Sequence, residues 1–159
     1  MYEEIRIPVE IKLVKSPDGK TKLKATVPAS IMFDKSFNAE LLEKELITIE
    51  RQYFYLITCL KSILNYIRSE KREKGKVLLY WEIGNKILNF MESCNKPLFI
   101  DNISKSLIRD VGLSKPLISR CRKFRIKYPN LTEIDTEKKF TDYVKIFEKG
   151  YCSKNRRYK

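Results

Sequence analysis

Apolar and polar residues alternate at the start of the chain. Ile5, Ile7, Val9, Ile11 and Leu13 are interleaved with Arg6, Glu10 and Lys12; Ser16-Pro17-Asp18-Gly19-Lys20 has turn chemistry; and Lys22 to Val27 returns. A period of two on both sides of such a turn predicts a β-hairpin with one apolar face. A lone hairpin is marginal in water, so this one must pack on helices, add to a neighbour's sheet or pair across a dimer. Pro8 and Pro28 suit edge positions. From Ala39 to about Lys74 the period becomes helical: Leu42, Leu46, Ile49, Tyr53, Leu56, Leu60, Ile63 and Ile67 follow each other at alternating intervals of four and three. Such a seam suits a partner helix, and a homodimeric coiled coil is one outcome. Ile47, Phe54, Ile57 and Leu64 widen the seam into a broad face, which fits the core helix of a bundle equally. A second apolar helix is predicted over Val77 to Leu88. It holds the only tryptophan, Trp81, at a core position, and Gly84, which would let a neighbouring helix come close at about 1 kcal/mol in helix propensity.

Between Ile100 and Pro129 the pattern predicts two short helices joined by a turn, a helix-turn-helix. Asp101 or Asn102 is placed to cap the first helix, Gly112 supplies the turn, and Ser114 caps a second helix whose first turn tolerates Pro116. Leu107, Val111, Leu113, Ile118 and Cys121 fall at inward positions. Ile108 departs from the motif, which wants a small residue there. A last helix is predicted with Thr136 as its cap, Phe140, Tyr143, Val144 and Phe147 as its apolar face and Gly150 as its end, followed by a polar thread from Tyr151 to Lys159. The predicted fold is mainly α: a hairpin arm (1–37), a helical bundle (38–130) with the helix-turn-helix at 100–129, and a C-terminal helix with a basic tail (131–159).

Charge sharpens this picture once it is located. The chain carries 33 Lys and Arg against 20 Asp and Glu, a net charge of +13. Lys105 to Lys127 holds 8 basic residues and 1 acidic, Lys149 to Lys159 holds 5 and none, and the remainder contributes only +1. Concentration on one motif and one tail suits a protein that binds a polyanion. At 159 residues and 43% hydrophobic the chain can bury one sizeable core, so one main domain with appendages is expected. No stretch reaches the roughly 20 apolar residues of a membrane span, and Met1-Tyr2-Glu3-Glu4 is the wrong start for a signal peptide, so a cytoplasmic protein is expected.

Four cysteines, Cys59, Cys94, Cys121 and Cys152, stand far apart without paired metal-ligand spacing and read as reduced and structural. The absence of histidine removes the Ser-His and Cys-His pairs, the imidazole base and imidazole-dependent zinc sites. No catalytic residue, metal or cofactor is expected.

Leu78 to Ile87 (LLYWEIGNKI), Ile103-Ser104-Lys105-Ser106-Leu107, Gly112-Leu113-Ser114 and the closing Arg122-Lys123-Phe124-Arg125-Ile126-Lys127-Tyr128-Pro129 together resemble the N-terminal helical domain of the YhcG-type nuclease family. The similarity covers roughly Ile63 to Pro129. It implies a winged-helix-like, DNA-binding domain, which in that family precedes a PD-(D/E)XK nuclease domain. After Pro129 only Asn130 to Lys159 follow, too few for a nuclease core. Glu10-Ile11-Lys12 has the Glu-x-Lys spelling, but no preceding Asp on another strand completes a Mg²⁺ site.

The expectation is therefore a non-catalytic protein that binds double-stranded DNA as a homodimer and acts as a transcriptional regulator. The second helix would enter the major groove with Ser114, Lys115, Ser119, Arg120 and Lys123 towards the DNA, Arg120 first among them for base contact. Arg122 and Lys127 would touch phosphates, as would Lys154, Arg156 and Arg157 of the tail. An accessory subunit of a nuclease or other DNA-processing complex is the alternative.

Overall fold

The computed structural model describes residues 9–94 and 98–155. Alternation of apolar and polar residues gives β1 (Val9–Lys15) and β2 (Thr21–Thr26), antiparallel with Leu13 opposite Leu23. Ile5 to Pro8 lie outside the described residues. The turn needs a left-handed residue, and Gly19 supplies it at φ +80°; its N–H donates to the Ser16 carbonyl at 2.9 Å. A third strand, β3 (Leu98–Asp101), runs parallel to β1 and gives the order β2-β1-β3. The hairpin thus finds a sheet partner in its own chain, although nothing in the sequence pattern marks β3.

Six α-helices account for most of the described residues, and the fold is mainly α with an N-terminal hairpin. They are α1 (Ala29–Met32), α2 (Ala39–Ser69), α3 (Val77–Ser93), α4 (Ile103–Val111), α5 (Lys115–Lys127) and α6 (Phe140–Asn155). The side-chain oxygen of Asn38 accepts the Leu41 N–H at 3.0 Å and so caps α2. No helix among the described residues is long and apolar enough to cross a membrane.

By packing, the chain divides into two compact units that interleave in sequence: Met1–Ile57 with Asn89–Gly112, and Thr58–Leu88 with Leu113–Lys159. The division does not follow boundaries near residues 37 and 130. In the first unit the inner sheet face (Val9, Ile11, Leu13) and Ile49, Tyr53, Leu56, Phe90, Ile103 and Leu107 form the core. Where Tyr53 meets α4 the core turns polar. Its hydroxyl donates to Asp110 Oδ2 at 2.7 Å, Thr21 Oγ1 donates to the same oxygen at 3.1 Å, and Arg109 grips both carboxylate oxygens at 2.7 and 2.8 Å.

In the second unit Leu60, Ile63, Ile67, Val77, Ile83, Ile87, Ile118, Cys121 and Phe124 are buried. Gly84 fulfils the close approach: a methyl group built on it would overlap the Cys121 carbonyl and lie 2.7 Å from that carbonyl carbon. Trp81 is buried as expected, and its indole N–H donates to the Tyr128 carbonyl at 2.7 Å. Phe124 packs against Tyr128, Phe140 and Tyr143 with ring centroids 4.8 to 5.6 Å apart.

Several local expectations need correction. The seam of α2 from Ile49 to Ile67 is buried within the chain's own units, while Ile47 and Phe54, expected to widen it, are exposed. Asn102 occupies the cap position of α4 but makes no side-chain cap bond; its left-handed backbone (φ +56°) turns the chain from strand to helix, and Asp101 belongs to β3. Thr136 lies in a turn and α6 begins later, at Phe140, where Asp142 Oδ2 accepts the Lys139 N–H at 3.1 Å. Gly150 lies inside α6, which continues to Asn155.

Candidate nucleic-acid interface

Helix α5 starts and stops where its residues say it should. Gly112 ends α4 in the left-handed conformation at φ +82°, its N–H bonded to the Ile108 carbonyl at 3.1 Å. Two residues later Ser114, in extended backbone, caps α5 by accepting the Leu117 N–H on Oγ at 3.3 Å. Pro116 sits in the first turn, where its missing N–H costs nothing. Ile118, Cys121 and Phe124 then bury one face at intervals of three.

The opposite face carries the predicted residues. Ser114, Lys115, Ser119, Arg120, Lys123 and Lys127 are all exposed, and α5 contains no acidic residue. Lys115, Ser119, Lys123 and Lys127 recur every fourth residue and form one stripe. No ion pair engages the three lysines among the described residues.

Two arginines of this helix are less available than its net charge suggests. Arg120 Nε donates to Glu148 Oε1 of α6 at 2.9 Å, so the residue expected to read a base edge is already paired with a carboxylate. Arg122 is half-buried, and its Nε is buried without a hydrogen-bond partner among the described residues. Arg125, which belongs to no predicted contact, is committed to the core edge: it lies 5.0 Å over the Trp81 ring and donates to Asn85 Oδ1 at 2.9 Å.

The tail residues come out differently. Lys154 falls on α6 rather than on an extended thread, and Arg156 and Arg157 lie outside the described residues. Glu10 and Lys12, the Glu-x-Lys pair, bond to each other at 3.0 Å on the exposed sheet face. Burial pushes the Cys121 thiol up to about 12, and the Cys94 thiol also upward, which disfavours the thiolate at both.

Sequence reasoning missed Glu148 as a partner of Arg120, because 28 residues separate them and only tertiary packing brings them together. It also gave no separate weight to the lysines of the hairpin. A count of charge in blocks dilutes Lys15, Lys20, Lys22 and Lys24 among the acidic residues of α2.

No protein-family model matches this chain, and comparison with curated proteins and solved structures finds nothing similar.

Proposed function

We propose that the protein binds double-stranded DNA without chemistry of its own, as a transcriptional regulator working in the cytoplasm. One observation carries the reading: the solvent face of α5 is a stripe of Lys115, Ser119, Lys123 and Lys127, with Arg120 beside it and no acidic residue on the helix. A stiff helix with a basic, hydroxyl-bearing face fits the major groove, where lysines meet phosphates and short polar side chains meet base edges. The resemblance to the N-terminal domain of YhcG-type nucleases supports the same reading, since its motifs coincide with α3, α4 and α5. Lys127 and the half-buried Arg122 belong to phosphate contact, and Arg120 reaches DNA by exchanging Glu148 for a phosphate or a guanine edge. A homodimer on a palindromic site is part of this reading, with Ile47 and Phe54, seven residues apart and exposed on α2, as its contact.

Fluorescence anisotropy of a random duplex titrated with the full-length protein at several salt concentrations tests the reading. Affinity should fall steeply with salt, and Lys115→Ala/Lys123→Ala/Lys127→Ala should make the slope shallower by roughly 0.9 for each phosphate that is no longer neutralised. Binding by this variant equal to wild type in affinity and slope would remove α5 from the interface. The accessory-subunit reading draws on exposed apolar residues of the first unit, Met32, Phe33 and Leu41, of which Phe33 is 87% exposed. It predicts weak duplex binding by the isolated protein.

A further inference from the structure

We propose that the β1–β2 hairpin is a second contact to the phosphate backbone of duplex DNA, made by Lys15, Lys20, Lys22 and Lys24; this rests on the reading of the protein as DNA-binding. Between Val9 and Thr26 stand five lysines and two carboxylates. Strand register fixes where they go. Lys22 lies opposite Val14 and Lys24 opposite Lys12 on the outer face of the sheet, and Lys15 and Lys20 flank the turn. One carboxylate is paired and the other is bonded within the turn, where it keeps its charge with Lys22 nearby. Glu10 pairs with Lys12, and Asp18 takes the Ser16 hydroxyl and, at 3.3 Å, the Lys20 N–H. Lys15, Lys20, Lys22 and Lys24 have no ion pair among the described residues.

One feature separates this arrangement from an ordinary solvated strand. The hairpin is anchored just below its turn: Thr21 bonds Asp110 at 3.1 Å, and Arg109 Nη1 reaches the Leu13 carbonyl at 3.5 Å. The turn itself is closed by the backbone: the Ser16 N–H donates to the Lys20 carbonyl at 2.8 Å and the Gly19 N–H to the Ser16 carbonyl at 2.9 Å. Four charges on an anchored ribbon lose less freedom on binding than the same charges on a loose thread.

Lysines on an edge strand also guard against strand-to-strand aggregation, and β2 is an edge. That role makes a different forecast. We compare wild type with two quadruple variants at Lys15, Lys20, Lys22 and Lys24, all to Gln or all to Arg, by duplex anisotropy across a salt series, with circular dichroism and light scattering on each. The Gln variant should bind every duplex more weakly and lower the salt slope by about 2 to 4, at roughly 0.9 per neutralised phosphate. Preference between sequences should be unchanged, and the Arg variant should keep the wild-type slope. A Gln variant that keeps the wild-type dichroism and oligomeric state and has an undiminished slope overturns the hairpin contact and leaves α5 as the interface. Aggregation of the Gln variant, with the single changes Lys22→Gln and Lys24→Gln leaving the slope untouched, assigns the lysines to edge protection and equally overturns it. A wild-type protein that binds no duplex overturns the DNA reading and the hairpin contact together.

Discussion

Each of the two units fastens a helix to its neighbours at one place, and the two fastenings are of opposite kinds. In the first, Asp110 is the hub: one carboxylate, 12% exposed, takes bonds from Tyr53, Thr21 and Arg109 and so joins α2, the hairpin and α4. In the second, α3 and α5 are held by contact: Gly84 against the Cys121 carbonyl, the indole N–H on the Tyr128 carbonyl, and Arg125 over the Trp81 ring. An ion pair organises the first fastening, and a close backbone approach, supported by one hydrogen bond and one cation over a ring, organises the second. The first should yield to acid and to loss of a single oxygen, the second to a single added methyl group.

The largest effect is expected from Gly84→Ala. Alanine is the better helix former by about 1 kcal/mol, yet its methyl group would need the space of a backbone carbonyl, and a net loss of about 3 kcal/mol should appear in chemical unfolding. A stable Gly84→Ala protein would mean that shape does not hold the second unit.

Next comes Asp110→Ala, with a loss of about 2 kcal/mol, because Tyr53 and Arg109 are left partly buried without their acceptor. The same group gives a pH dependence. The Arg109 guanidinium, with the Tyr53 and Thr21 hydroxyls, holds the Asp110 carboxyl down at about 2, against 3.8 for an ordinary aspartate. A lowered carboxylate stabilises the fold above its unfolded value, and that contribution, about 2 kcal/mol, is lost as pH falls from about 4 through 2. Asp110→Asn should remove the acid-dependent part of the unfolding curve. An unaltered acid limb would show that other carboxylates govern it.

Trp81→Phe should cost about 1.5 kcal/mol, through the Tyr128 carbonyl deprived of its donor and the volume lost beside Arg125. This loss should not vary between pH 4 and 2, which sharpens the contrast with Asp110. The smallest effect concerns function: Glu148→Gln frees Arg120 and removes a negative charge beside the basic helix, so duplex affinity should rise by about two- to fivefold at low salt with stability unchanged. Weaker binding would make the Arg120–Glu148 pair a support of the interface rather than a competitor for it.

How far the sequence could be read follows from the same contrast. Shape left marks in it: a glycine inside an apolar helix is costly unless something comes close, and Gly84 announces its crossing for that reason. The caps and breakers around Gly112, Ser114 and Pro116 are local chemistry, and the exposed stripe of α5 follows from helical periodicity alone. The polar fastening left no such mark. Tyr53 occupies a seam position as any apolar residue would, and its hydroxyl finds Asp110 only because α4 packs on α2, 57 residues along the chain. The strand β3 is four residues long and pairs with a strand almost ninety residues away, too short for a period to declare itself. At α6 the propensity penalty of one glycine, roughly 1 kcal/mol, was too small to stop a helix with Phe140, Tyr143 and Val144 buried on one side.

The only tryptophan lies in the second unit, and this makes the protein its own spectroscopic probe. Indole emission follows one unit alone, whereas far-ultraviolet dichroism sums the helices of both. Melting curves recorded by the two signals in parallel therefore resolve whether the units come apart together or in turn. Coincident curves would describe one cooperative transition; separated curves would give each fastening its own midpoint.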